Sequence, residues 1–469
     1  MRNVLRFAVA SGVPSLVNFA ALSVYSRLLA PGEYGRFALV VAATGLVNGV
    51  AFQWIRSGAR RYAAAFPNDL PAFRATLARL YAAVLGAVAI GCFAGILVAP
   101  EGWKPIVGVG ACFLAVQAWA ELSLELTLAR SDARRYGTLL LSRSVTAALI
   151  GGGLAWAGWG AIGVLVGGIA GFLAIGALSL VNEWRGTLWA SRKEGMAGHL
   201  IRYGAPLAWA FGLQFILDQS DRFLLGMFRG TAEVGRYAVA YDLTQQSLTT
   251  LMMIVNLSMV PLIFRVLEQQ GATEARAALA RQGALLMAVA LPAAVALAIL
   301  APNVAGVLLG ANYRTAADGL IPVVAAAGLV GGLKVYYFDL GFQLGKATRF
   351  QLVISAVSAG LNVILNVIWI PRWGAKGAAY ATLASLCIGA LLSFIGSRAV
   401  FSVPIPAQQW FRILVAVAAM SGALLLLRAN EGVVALVVQV VVGGLVFVGA
   451  AYTLNVAGAR KHSAVVGAG

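Results

Sequence analysis

The sequence predicts an all-α polytopic membrane protein with about fourteen transmembrane helices, arranged as two pseudo-symmetric six-helix lobes followed by two more helices. Three observations carry that reading. Of 469 residues, 61% are hydrophobic and only 11% charged, and the mean hydropathy is +0.85; soluble domains hold about 45–50% apolar and about 25% charged residues. The apolar residues fall in runs long enough to cross a hydrocarbon core of roughly 30 Å. Two short motifs recur, in the same order, in both halves of the chain. A single soluble core and a disordered chain are excluded by the apolar content, and a disulfide-stapled secreted domain by a count of three cysteines.

In chain order, the first run follows Arg2 and Arg6 and continues from Phe7 past Ser11 and Gly12 to Leu29. A secretory leader would stop at a small-residue cleavage site; this run is long enough to span and reads as the first crossing. Runs near 36–55, 79–99, 105–128, 138–157 and 160–181 complete the first lobe, 1–182. A basic connection, 183–200, joins the lobes and, like 56–78, is expected to lie along the membrane surface. The second lobe, 201–400, holds runs near 201–227, 234–264, 282–301, 318–343, 350–370 and 375–397. Two further runs near 410–427 and 433–456 make up the additional helices of 401–456, and a tail, 457–469, ends the chain. Helices follow rather than barrel strands, which would be short and alternating. Pro14, Pro206, Pro261, Pro292 and Pro322 and a total of 54 glycines fit kinked, closely packed helices. Cys92, Cys112 and Cys387 lie inside apolar runs and are expected to be small buried hydrophobes.

The net charge of +18 is explained by topology. With the N-terminus inside, 24 of the 35 Lys and Arg residues fall on the inner side, 10 on the outer side, and Lys334 alone lies well within a span. Cytoplasmic loops collect basic residues, so both termini are expected to be cytoplasmic. The basic residues are spread between apolar runs and form no polar face, so no nucleic-acid partner is expected. Short outer loops, the longest near 302–317, disfavour a membrane polymerase or glycosyltransferase. His199 and His462 are far apart and give no metal site. Gly341, Gly345 and Lys346 approach a phosphate-binding loop, but the spacing is one residue short and Ala347 follows the lysine. No catalytic triad, cofactor or metal is therefore expected.

Glu33-Tyr34-Gly35-Arg36-Phe37-Ala38 after segment 1 matches Glu233-Val234-Gly235-Arg236-Tyr237-Ala238 after segment 7. Trp159-Gly160-Ala161-Ile162-Gly163 between segments 5 and 6 matches Trp373-Gly374-Ala375-Lys376-Gly377 between segments 11 and 12. Segments 1 and 7 are both odd-numbered, so the repeats share an orientation, as in transporters that work by alternating access.

Charges inside spans are costly and mark candidate sites. Glu121 and Glu125 share a face of segment 4 and are expected to pair with Arg143 in the neighbouring segment. Asp218, Asp221 and Arg222 sit in the outer half of segment 7. Asp242 heads a polar stripe, Thr244 to Thr250, in segment 8. Either Asp221 or Asp242 neutralises Arg222, or these acids form a protonatable or cation-binding site. Lys334 is past the midplane of segment 10, with Asp339 the nearest acid in sequence; it binds an anion or forms a buried pair. Asn362 and Asn366 form a second polar face, read as packing.

Tyr25-Ser26-Arg27-Leu28-Leu29-Ala30-Pro31-Gly32-Glu33-Tyr34-Gly35 resembles the opening of the polysaccharide-biosynthesis flippases (O-antigen and exopolysaccharide flippases) of the multidrug/oligosaccharidyl-lipid/polysaccharide, or MATE-like, superfamily. Asp221-Arg222-Phe223-Leu224-Leu225-Gly226, and the stretch from Asn362 and Asn366 through Ile370-Pro371 to Thr382, are similar to further parts of that family. The resemblance covers segments 1–12. It implies a two-lobed, non-enzymatic flippase that moves an undecaprenyl-diphosphate-linked oligosaccharide across the bacterial inner membrane, before polymerase or ligase acts on it. The partners implied are that lipid-linked oligosaccharide and membrane lipids. A cationic cavity suits a diphosphate, and the resemblance points to Lys334 first, then Arg27, Arg56, Arg222 and Arg265. On that reading Lys334→Ala lowers polysaccharide export without changing protein abundance. The rival within the superfamily is an ion-coupled cation or multidrug antiporter, for which Asp218, Asp221, Asp242 and Asp339 would couple the ion. A membrane-embedded lipid-modifying enzyme or a scaffold is the rival of another class.

Overall fold

A computed structural model describes residues 2–62, 69–130, 132–180, 183–185, 187 and 195–456. The tail 457–469, most of the 183–200 connection and residues 63–68 lie outside the described residues, as does the side chain of Asp218. Among the described residues the chain is helical, with no strand.

The chain packs as two units, Met1–Gly235 and Arg236–Gly469. The first holds α1 (Arg2–Leu28), α2 (Pro31–Ala51), α3 (Gln53–Tyr62), α4 (Leu70–Val98), α5 (Lys104–Ala129), α6 (Ala133–Leu154), α7 (Gly160–Leu180) and α8 (Met196–Arg229). Prolines in the first turn open α2, α4 and α5, where the missing N–H costs nothing. Asp132 caps α6 by accepting the Arg135 N–H at 3.0 Å. Although α8 opens the second repeat in sequence, it packs within the first unit: Gly45 of α2 faces Phe215, Gly58 of α3 faces Leu200, and Gly204 faces Trp54. Residues 70–78, which the sequence groups with the surface stretch 56–78, form the first turns of α4, because helical hydrogen bonding extends beyond the apolar run.

The second unit holds most of α9 (Thr231–Gln270), then α10 (Ala272–Ile299), α11 (Ala301–Leu308), α12 (Ala311–Leu333), α13 (Leu340–Leu344), α14 (Thr348–Val400), α15 (Ala407–Leu427) and α16 (Val433–Thr453). Its core joins Met252, Leu279, Leu286, Tyr337, Leu340 and Phe401. The Asn303 amide of α11 donates to Gln439 of α16 at 2.8 Å, and its oxygen accepts the Gly432 N–H at 2.9 Å.

Ten helical stretches are long and apolar enough to cross a membrane. The chain is a multi-pass membrane protein. Two of them, Arg134–Leu180 with 47 residues and Thr348–Val400 with 53, would be about 70 and 80 Å long if straight, more than twice the roughly 30 Å core. Both are hairpins. Asn362 lies beside Thr382 and Ser385, and Gly171 packs on the Arg143 carbonyl, so each stretch folds back at its middle. The reversals use one backbone conformation: φ 53°, ψ −137° at Gly160 and φ 56°, ψ −133° at Gly374. Only glycine adopts it without strain, which is why the recurring Trp-Gly-Ala pattern carries a glycine there. Counting each hairpin twice gives twelve crossings, and α1 and α8 bring the number to the expected fourteen.

The first repeated motif has an equally specific reason. A β-carbon on Gly35 would collide with the carbonyl of Thr231, and one on Gly235 with the carbonyl of Pro31. The glycine of each copy therefore presses on the first turn of the other, a reciprocal backbone contact inside the first unit. The apolar surface faces outward as a bilayer requires: Ile90, Phe93, Leu97 and Val98 of α4 are exposed. For the same reason the cysteines are not buried as expected; Cys112 and Cys387 are exposed and Cys92 is half-buried.

Candidate functional site

The deepest charges of the second unit sit where α12 gives way to α13. Lys334–Phe338 forms a π turn, and the Asp339 N–H donates to the Lys334 carbonyl, five residues back, at 2.8 Å. In a regular α-helix, with 3.6 residues per turn, side chains five apart point about 140° apart. The wider turn brings them to one side. The Lys334 ammonium thus donates to Asp339 Oδ2 at 2.8 Å, with both side chains at 5% exposure or less. Ser393 of α14 donates to the other carboxylate oxygen at 2.6 Å, and Ser355 Oγ lies 3.4 Å from the ammonium. Gly389 leaves the space: a β-carbon there would meet Ser358 and come within 3.1 Å of Lys334 Cε. The arrangement is a neutral ion pair lined by serine hydroxyls.

The first unit holds a second cluster. Glu121 and Glu125 share one face of α5, as their spacing predicts, but their ion pairs run to α3 and not to Arg143. Arg56 Nη1 lies 2.5 Å from Glu121 Oε2, and Arg60 Nη2 lies 2.5 Å from Glu125 Oε1. Arg56 is buried and also donates to Asn48 at 2.8 Å and to Gln53, while Asn48 and Gln117 donate to Glu121 at 2.8 and 2.9 Å. The Glu125 hydrogen bond pushes the Arg60 guanidinium, high to begin with, further up. Arg143 instead lies 4.2 Å over the Phe172 ring, because α6 packs on α7 at that level.

A third cluster went unpredicted. Glu183 is fully buried between Arg130 and Arg135, each 3.3 Å away. Next to it the Trp184 indole donates to Ser123 at 2.9 Å and stacks on Trp119 at 4.2 Å. The sequence held a signal: Glu183 is the only acid between Asp132 and Glu194.

Of the other predicted residues, Asp221 and Arg222 are buried, and the Asp221 carboxylate accepts the Arg222 backbone N–H at 2.8 Å. Asp242 is half-buried. In the stripe that follows it, Thr244, Ser247 and Thr250 donate to carbonyls four residues back and so satisfy themselves. Asn366 donates to Asn362 at 2.9 Å. Arg27 is exposed and donates to Ser23 at 2.8 Å, and Arg265 is exposed on α9. Among the described residues no group of three His, Cys, Asp or Glu is placed to hold a metal.

No curated protein matches the sequence at a significant level. Among solved structures, the lipid II flippase MurJ in an inward closed conformation is 12% identical, covers 96% of this chain and 98% of its own, and superposes with a TM-score of 0.77. An inward-facing multidrug resistance MATE family transporter of the MOP superfamily is 13% identical, covers 85% of this chain and 97% of its own, with a TM-score of 0.64. An outward-facing MATE structure, 13% identical, covers 85% of this chain and 95% of its own, with a TM-score of 0.56. At these identities the likeness is one of fold. The family model described as polysaccharide biosynthesis protein matches residues 76–318, which runs from α4 across the start of the second repeat into α12 and covers just over half the chain. The protein belongs to the polysaccharide biosynthesis protein family, built on the MATE-like fold.

Proposed function

We propose that the protein is a flippase that translocates a polyprenyl-diphosphate-linked oligosaccharide across the bacterial inner membrane by alternating access, with both termini cytoplasmic, and hands it to a polymerase or ligase. The observation that carries the reading is the family match, which ties the chain to polysaccharide biosynthesis, on a fold that is helical throughout the described residues. The lipid II flippase structure supports it, since it spans 96% of this chain where the MATE structures span 85%. A membrane transporter in this family moves the lipid-linked intermediate and performs no bond chemistry. Of the candidate substrate contacts, Lys334, Arg56 and Arg222 are the buried cations, and Arg27 and Arg265 serve at helix ends. Asp339 competes with the diphosphate for Lys334. With Asp218, Asp221 and Asp242 it forms the set through which an ion would couple to transport.

Purified protein in proteoliposomes holding a fluorescent polyprenyl-diphosphate sugar tests the reading. Transfer of the labelled lipid between leaflets, above the protein-free rate, is expected. Accumulation of a cationic dye without lipid transfer would establish the antiporter instead.

A further inference from the structure

The turn of the α14 hairpin carries an unassigned cleft of about 620 Å³, lined by Trp369, Trp373, Lys376, Tyr380, Leu383 and Ala384. Trp369 and Trp373 have ring centroids 5.6 Å apart, and Tyr380 meets Trp373 edge-on at 6.4 Å. Trp373 is 54% exposed. The lysine stem lies along α12: a β-carbon on Gly319 would stand 3.1 Å from Lys376 Cε and 3.4 Å from Nζ. Glycine at 319 thus leaves room for the end of the lysine, which lines the same cleft as the two indoles.

The polar groups of this cleft are two indole N–H groups, a phenol and an ammonium, with no carboxylate among its lining residues. Among the described residues none of the four has a hydrogen-bond or ion-pair partner. Three of the four only donate, one is cationic, and the walls between them are apolar. A ligand that matches is an acceptor-only anion attached to hydrocarbon. Indoles and tyrosines at the end of a membrane hairpin stand at headgroup level, where such ligands are concentrated.

We propose that this cleft binds the phosphodiester headgroup of an anionic phospholipid. Lys376 forms the charge-assisted hydrogen bond to the phosphate, the Trp369 and Trp373 N–H groups are the further donors, and the indole faces cover the upper acyl chain. A zwitterionic headgroup brings its own ammonium towards Lys376 and is disfavoured. A free oligosaccharide, rich in donors as well as acceptors, finds no carboxylate or amide oxygen here. The site is independent of the transport reading, since it concerns the lipid that surrounds the protein.

The test is native mass spectrometry of the full-length protein after exchange into mixed micelles with equimolar phosphatidylglycerol and phosphatidylcholine. The wild type is expected to retain phosphatidylglycerol selectively. Lys376→Gln lowers that retention about tenfold, as loss of one charged hydrogen bond requires, and Lys376→Arg keeps it. Trp373→Leu weakens it as well. Lys104→Gln, at a half-buried lysine paired with Glu101 on the first turn of α5, leaves it unchanged and controls for net charge. Equal retention of the two lipids by the wild type, or undiminished retention by Lys376→Gln, would overturn the proposal. So would a polyprenyl diphosphate occupying the site in place of phosphatidylglycerol.

Discussion

At the scale of single residues, Lys334 shows how a partner changes the meaning of a charge. Read alone, it predicts a substitution that silences export and leaves abundance untouched. With Asp339 at 2.8 Å and both groups buried, Lys334→Ala strands a carboxylate. Breaking a buried pair on one side costs about 3–5 kcal/mol, so abundance should fall together with export. The double change Lys334→Met with Asp339→Leu removes both charges and should restore abundance, measured by fluorescence-detected gel filtration. If the pair serves transport, lipid transfer in proteoliposomes remains lost in that variant; normal transfer would remove Lys334 from the substrate path. The sequence named Asp339 as the nearest acid, but the π turn that unites the two leaves no periodic trace, since one inserted residue barely disturbs an apolar run. Arg143 shows the opposite failure. Pairing it with Glu121 or Glu125 follows chain proximity, whereas the carboxylates face Arg56 and Arg60 from a short polar helix that reads as surface in composition.

Among elements, the two hairpins are the parts most legible from sequence and most dependent on one residue each. Gly160 and Gly374 hold matching backbone angles that other residues reach only under strain of about 1–3 kcal/mol. Gly160→Ala or Gly374→Ala should therefore lower the Tm of the purified protein. Gly153→Ala, in the last turn of α6 with open space around its α-carbon, should leave it unchanged or raise it. Equal effects at all three positions would mean the hairpin turns tolerate a side chain. The repeat was visible because turn chemistry leaves short, specific patterns. Helix ends were less visible: α4 starts well before its apolar run, since backbone hydrogen bonds need no apolar side chain.

The whole molecule was legible in class, span number and repeat order, because a bilayer imposes length and polarity on every crossing. Its orientation rests on the excess of basic residues along the expected inner side, and labelling tests it. In a variant lacking Cys92, Cys112 and Cys387, an impermeant maleimide added to intact spheroplasts should modify a cysteine placed at Lys104 and spare one at Arg130. The reverse pattern would invert the topology. Reciprocity at Gly35 and Gly235 has a bearing on origin as well. A contact that pairs residue 35 with 231 and residue 235 with 31 is what an isologous dimer interface becomes when its two copies are fused into one chain. A half-length ancestor would have met its twin through a single glycine serving both sides. In such a fusion that glycine would hold two addresses, free to diverge around a crossing that neither copy can widen.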